Sequence, residues 1–370
     1  MRFIICGTML HPKVEEKLPG ASPAAGKYLR NLKKTLEAQG NEVIFCSYVA
    51  IPGAKQMYEQ LGLDDNDLVY KDKTIVKSIH IFQNKLLDLL HEDDVVILYN
   101  VPYFELGLIS KIKKRGNRAV LILADHTDSF KENGGVVRGI IAKLISRDYR
   151  KFDYGIALSE YAKRFFSSSA KLIVMEGGVD LERYKDFEPP VKSGVTKFMY
   201  AGTLSDVTGV DILLDAIEKW HEDDVEFYIS GKGYLEERVR KTAEKDNRIK
   251  YLGFVPDDEY YSLMKEIDVF LNPRNMDMEQ NQNNFPSKVL EYLATGRCVV
   301  SSKFPGWEKF RDLFIFYDRG DRDLLDKLLK AKNLNNTELC RIYCTNRKRA
   351  EEYDWNKQVV NIMKELTNSK

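Results

Sequence analysis

Residues 281–300 read NQNNFPSKVLEYLATGRCVV and gather the groups best suited to hold an anion beside a diol. Pro286 at the opening of a helical pattern is a start signal, because its missing N–H is not needed in a first turn. The amides of Phe285, Ser287 and Lys288 and the dipole of the helix then point at one spot. Lys288 adds a full positive charge. Glu291, one turn further in, can accept hydrogen bonds from vicinal hydroxyls such as a ribose diol. A capped surface helix with a solvated Glu291 would account for the same residue types. Three other stretches could serve a phosphate or a sugar. VEFYIS runs into Gly231-Lys232-Gly233, where glycine lets a ligand approach the backbone and a following helix start favours an anion. RIKYLGFVP ends on Gly253, Phe254 and Val255, a flat aromatic beside backbone amides that suits a nucleobase, although a core Phe reads the same way. DVFLNPRNMD places Arg274 just past a strand, and a guanidinium fork is the natural partner of a diphosphate; a surface salt bridge is the plain alternative.

Other chemistries are excluded. GASPAAGKY has one residue too many before Gly26-Lys27 for a P-loop, and Tyr28 stands where a metal-binding Ser or Thr is needed. The first strand leads into Gly7-Thr8-Met9, which is no dinucleotide fingerprint. There is no G-x-S-x-G and no helical His pair for zinc.

These loops are set in an alternation of β-branched runs and helical patterns. RFIICG, EVIFCS, VVILYN, AVLILA, YGIALS and KLIVME predict strands in the first half, with helices over 24–39, 74–90, 103–114 and 160–169 and a basic helical stretch up to Tyr149. Residues 50–73 interrupt the rhythm and resemble an insertion. GGVDLERYKDFEPPVKSG, with paired Gly and paired Pro, is the best linker. The alternation restarts with KFMYAG, VEFYIS, RIKYLG, DVFLNP, RCVVSS and FIFY, with helices over 209–220, 234–245, 257–266, 286–295, 321–331, 334–351 and 355–367. Such an order means two parallel sheets with right-handed crossovers. Ligands of parallel sheets sit at the carboxyl ends of the strands, so two such domains would face each other across a ligand cleft. The expected division is 1–178, a linker over 179–194, 195–351, and a C-terminal helix over 352–370 packing back toward the first domain.

The 370 residues carry a net charge of +1, which gives no global pull toward nucleic acid. Five scattered cysteines complete no metal set and suit reduced thiols. MRFIICGTML is too short and too soon interrupted for a signal peptide, and no apolar run reaches the roughly 20 residues of a membrane span; a cytoplasmic protein is expected. Charge is uneven, however. Residues 111–151 hold eleven Lys/Arg against four Asp/Glu, an excess of seven. GVVRGIIAKLISRDY within that segment mixes apolar and basic positions, as an interfacial patch on anionic lipid would; a core-facing helix with a solvated face explains it equally.

Taken together, YAGTLSDVTGVDILLDAIEKW, ISGKG, RIKYLGFVPDDEYYSLMKEIDVFLNPR and FPSKVLEYLATGRCVV stand in the order and spacing of the bacterial glycosyltransferases of family 4, and the FPSK form resembles a branch acting in cell-surface polysaccharide synthesis. The resemblance is specific over 197–305 and looser before, where SPAAGKYLRNLKKTLEAQGNEVIF is similar to the family's first helix and second strand. It implies the GT-B fold, α/β with two Rossmann-like parallel-sheet domains. It implies transfer of a sugar from a nucleotide-sugar to a glycan or lipid-linked acceptor, with retention, and without a metal or a cofactor beyond the donor itself. In the family's pattern Glu291 would bind the ribose hydroxyls. Phe285, Pro286 and Ser287 would present backbone to the donor sugar and phosphate, Gly253, Phe254 and Val255 would hold the base, and Gly202 and Thr203 would lie under the diphosphate, with Gly231 nearby. His126, in the loop ADHTDSF, falls where relatives place a His near the donor sugar, with Asp125 behind it or facing the acceptor.

Two departures matter. The family's first Glu is Asn283 here, followed by Asn284. The usual Arg and Lys of the phosphate loop are Thr203 and Thr208. The cationic role is therefore assigned to Arg274 and Lys288, because a leaving diphosphate needs electrostatic stabilisation. A degenerate transferase serving as a sugar-binding or partner subunit is the competing expectation.

Overall fold

The computed structural model describes residues 1–18, 23–100, 105–124, 136–192, 194–282 and 284–367. Among these residues the twelve strands expected from the apolar runs are present, with one more. Met1–Gly178 together with Trp355–Lys370 form one compact unit, and Val179–Asp354 form a second.

The first unit is built on strands β1 (Arg2–Cys6), β2 (Glu42–Val49), β3 (Leu68–Tyr70), β4 (Val95–Tyr99), β5 (Arg118–Leu123), β6 (Tyr154–Ala157) and β7 (Lys171–Val174). They make one seven-stranded sheet in the order β3-β2-β1-β4-β5-β6-β7, parallel throughout. The central strands are apolar on both faces, as strands covered by helices on each side must be: Phe3 to Cys6, Val95 to Leu98 and Ala119 to Leu123 are all buried. Helix Pro23–Ala38 turns Leu29, Leu32 and Leu36 onto one side of this sheet, each 0% exposed. Full burial of each such leucine is worth about 1.5–3 kcal/mol. Helix Trp355–Thr367 lies on the same face through Trp355, Val359, Ile362 and Leu366. The Trp355 ring meets Tyr28 edge-on at 5.1 Å. A side chain at Gly178 would strike that indole, its Cβ lying 2.6 Å from it.

Residues 50–73 are not an insertion. They form a helix, Ala54–Leu61, and β3, whose Leu68, Val69 and Tyr70 pair in parallel with Ser47, Tyr48 and Val49. They are one more helix–strand step of the sheet, with Tyr58 buried between them. A three-residue strand after Asp64, Asp65 and Asp67 leaves too short an apolar run to stand out. The segment expected as a helix over 160–169 is a 3₁₀ helix, Glu160–Phe165, capped by Ser159.

The second unit holds β8 (Thr196–Ala201), β9 (Val225–Ser230), β10 (Ile249–Gly253), β11 (Val269–Asn272), β12 (Cys298–Ser302) and β13 (Ile315–Tyr317), parallel in the order β10-β9-β8-β11-β12-β13. Val179, Tyr184 and Phe187, ahead of β8, are buried in its core.

Cys6, Cys46 and Cys298 are buried and Cys340 and Cys344 exposed, all as free thiols. Glu105 is an anomaly in the first unit: 0% exposed, with neither carboxylate oxygen bonded among the described residues. Burial pushes its carboxyl well above the usual range. A carboxyl whose folded pKa is raised stabilises fully below its unfolded pKa of about 4.3 and loses that contribution as pH rises through the folded value. Denaturant unfolding at pH 5 and pH 8 should therefore show Glu105→Gln gaining stability over the parent at the higher pH; an equal difference at both pH values would refute the assignment.

Candidate functional site

In the strand order of the second unit, the chain leaves β8 toward β9 on one side and returns through β11 on the other. Open parallel sheets bind ligands at this switch, beyond the carboxyl ends of the two strands. β8 ends on Ala201 and runs into Gly202-Thr203, and Pro273-Arg274 follows β11. Among the described residues singled out from sequence, Gly202, Thr203, Gly231, Gly253 and Arg274 stand at or just past the carboxyl ends of β8, β9, β10 and β11.

The strand-end loops lie backbone on backbone. Gly202 N donates to Ser230 O at 3.0 Å, and Gly231 N donates to Gly253 O at 2.8 Å. A Cβ on Gly231, whose φ is +142°, would come 1.7 Å from Gly202 O, and one on Gly209 would come 1.7 Å from Pro273 O. Any side chain at either position would separate the loops. Tyr200 Oη donates to Thr203 O at 2.6 Å, and Thr208 Oγ1 reaches the same oxygen at 2.6 Å. The two threonines that stand in place of the expected cations thus fasten the loop to itself.

Lys288 opens the helix Lys288–Thr295, and its ammonium donates to Ala201 O at 2.8 Å, with the Tyr260 ring 5.4 Å away. This tether brings the charge to the end of β8. The helix starts two residues later than Pro286; the buried Pro286 instead accepts from Val289 N at 3.0 Å to close the entry turn. Glu291, in the first turn, is close enough to Tyr184 and Tyr260 to add to the upward push that burial gives both phenols, and it also bears on Arg183. Phe285 packs its ring against Phe304 at 5.4 Å and Phe310 at 5.9 Å, so its side chain anchors the loop. Asn284 is half-buried and Ser287 exposed.

Arg274 is half-buried, and its Nη1 donates to Asn281 Oδ1 at 3.2 Å. Among the described residues it has no carboxylate partner. Burial pulls its pKa down, opposed in part by the Tyr200 phenol. A guanidinium taken out of water without a counter-ion is stabilised by an incoming anion. Phe254 stands 44% exposed beyond β10 with the Lys232 ammonium 5.5 Å from its ring, while Val255 packs inward.

His126, Asp125 and Asn283 lie outside the described residues. Sequence reasoning missed Asn281, 2% exposed, whose amide donates to Val207 O at 2.6 Å and Asn275 O at 2.7 Å while its oxygen takes Arg274. It joins the loop after β11 to the loop after β8, and nothing in a run of Asn and Gln marks it. In the first unit Asn100 does comparable work: at φ +65° its Oδ1 accepts from Ala124 N at 2.8 Å, joining the ends of β4 and β5. No cluster of three or more His, Cys, Asp or Glu able to hold a metal occurs among the described residues.

Comparison with known proteins gives this geometry a class. Residues 195–331 match the family of group 1 glycosyl transferases, so the second unit carries a group 1 glycosyltransferase domain. WcaL of Escherichia coli (strain K12), named as a colanic acid biosynthesis glycosyltransferase, is 28% identical over 203 residues, 52% of this chain and 49% of its own. AmsK of Erwinia amylovora, an amylovoran biosynthesis glycosyltransferase, is 27% identical over 142 residues, 37% of this chain and 35% of its own. The chain spans about half, or less, of the length of these curated relatives. Among solved structures, sucrose-phosphate synthase from Thermosynechococcus elongatus superposes with a TM-score of 0.73 over 100% of both chains at 12% identity. Anabaena HepE in complex with UDP superposes at 0.69 over 98% of this chain and 99% of its own, at 16% identity. The fold is that of the GT-B glycosyltransferases.

The Asn281 amide supports two carbonyls and a guanidinium, so Asn281→Ala leaves buried acceptors unpaired. We expect a loss of about 2 kcal/mol in denaturant unfolding and looser binding of any ligand held by Arg274.

Proposed function

We propose that the protein is a glycosyltransferase of cell-surface polysaccharide synthesis that takes a sugar from a nucleotide-sugar. The observation that carries this reading is the placement of Arg274 and Lys288 around the Ala201-Gly202-Thr203 turn, at the strand switch of a domain matching the group 1 glycosyl transferases. In this reading the diphosphate lies against the Gly202 turn. Arg274, with its burial-destabilised charge, and Lys288 take up the negative charge that grows as the sugar–phosphate bond breaks. Glu291 accepts from the ribose diol, and the base lies on Phe254 with its edge toward the amides near Val255. Gly231 allows the close approach, and the Asn283-Asn284 pair meets the sugar. His126 hydrogen-bonds the sugar and Asp125 supports it. We further propose that transfer retains the anomeric configuration and needs no metal, the two cations serving instead. The acceptor is a glycan or lipid-linked sugar. Support for the donor class comes from HepE, solved with UDP and with UDP-glucose. Support for the setting comes from the names of the colanic acid and amylovoran relatives.

A cytoplasmic protein working at the inner face of a membrane fits this acceptor. No helix among the described residues is long and apolar enough to cross a bilayer. The basic segment instead offers a surface: Lys143, Arg147 and Arg150 are exposed on and just past the helix Val136–Tyr149, beside Ile140 at 56% exposure, and Lys114 and Arg115 are exposed nearby in sequence.

A thermal-shift screen against UDP-, GDP- and dTDP-sugars, followed by turnover with the sugar that raises the melting temperature, tests the reading. Arg274→Ala and Lys288→Ala should each cut kcat by about 100-fold or more. Unchanged turnover in both would sink the cation assignment, and a shift without turnover would favour a binding subunit. On vesicles, flotation should require anionic lipid, and the double variant K143E/R147E should bind at least roughly 30-fold more weakly, at about 1 kcal/mol for each positive charge lost. Flotation indifferent to lipid charge would remove the membrane surface.

A further inference from the structure

The second unit has a cavity of about 440 Å³ on the opposite edge of its sheet from the nucleotide loops, at the amino ends of β8, β11 and β12. That volume falls within the range of about 300–1,000 Å³ usual for small-molecule sites. Phe187, Pro190 and Val191 line it on one side, and Asp268 and Arg297 on the other. Arg297 is 7% exposed. Its Nη2 donates to Lys265 O at 3.0 Å, and its Nε has no acceptor among the described residues. A structural arginine of the same domain looks different. Arg248 places all three guanidinium nitrogens on acceptors, grasping Asp246 and the carbonyls of Ile217, Trp220 and Glu222. A guanidinium sunk this deep with a single bond is under-used; its Nε is closed off, so the part of the guanidinium that lines the cavity is what can meet a ligand acceptor.

The walls restrict what that ligand can be. Three basic and four acidic side chains line the cavity, so it carries no positive field that would draw an anion. Asp268 faces the same space as an acceptor, its Oδ2 already taking Lys197 N at 2.8 Å. A group serving both Arg297 and Asp268 must accept from one and donate to the other. A hydroxyl does both. A ring carrying several hydroxyls and one apolar face would lay that face on Pro190 and Val191.

We propose that this cavity binds a saccharide, separate from the donor site, through the Arg297–Asp268 pair. The proposal stands apart from the transferase reading, which the nucleotide-induced thermal shift tests independently. Saturation-transfer NMR on the full chain with D-glucose, D-galactose and L-fucose, in the presence of UDP and GDP, tests it. At least one sugar should receive saturation with nucleotide present. It should bind roughly tenfold or more weakly to Asp268→Asn, which keeps the acceptor for Lys197 N–H but loses the charge. Val191→Trp, at a rim position 76% exposed, should block the mouth without touching the core. Far-UV circular dichroism and melting temperature confirm that each variant is folded. Saturation of none of the sugars, displacement by nucleotide, or undiminished binding by both folded variants would overturn the proposal.

Discussion

The contact on which the second unit's chemistry depends is one of bare backbone. Gly231 passes over Gly202 O, and Gly209 over Pro273 O, with no room for a Cβ at either crossing. Parallel strands deliver their loops to one edge, but they do not by themselves bring those loops into contact. Glycine does so here because it has no side chain to clash and because φ values of +142° and +74° are open to it. Once the crossings exist, the loops after β9 and β11 lie against the loop after β8, where Lys288 bonds Ala201 O and Arg274 stands near Tyr200.

The electrostatics follow from the same compaction. Drawing the loops together takes Arg274 partly out of water beside Tyr200 and Asn281, neither of which offers a full counter-charge. The unmet charge is a cost to the folded protein and an attraction for an anion. Lys288 is handled differently: its ammonium stays exposed but is steered by Ala201 O. Thr208, at a loop position where a cation is usual among the resembled family, is spent on holding the turn closed. The arrangement exchanges cations within the loop for cations beside it.

Much of the architecture could be read from residue order. Runs such as VVILY and AVLIL are apolar at every position, which is the mark of a strand covered on both faces. The helix Pro23–Ala38 announced itself by Tyr28, Leu29, Leu32 and Leu36 and by Gly40 after it. The step through Ala54–Leu61 and β3 escaped because its strand pairs over only three residues and gains its burial from β2, a partner that no local pattern reveals. Asn281 escaped for a related reason. Its neighbours are of the same type, and only the fold buries it.

By itself, then, the sequence determined the two parallel sheets, the glycines at the strand ends, and the supply of basic, acidic and aromatic residues in the loops, because periodicity and residue type act locally. Tertiary structure alone decided which of those residues meet. Lys288 reaches a carbonyl 87 residues away, Asn281 spans 74 residues to Val207, and among the described residues the Arg297 guanidinium is left with one hydrogen bond while that of Arg248 has several. Such outcomes depend on burial and on partners brought together from distant parts of the chain, and neither is encoded at a single position.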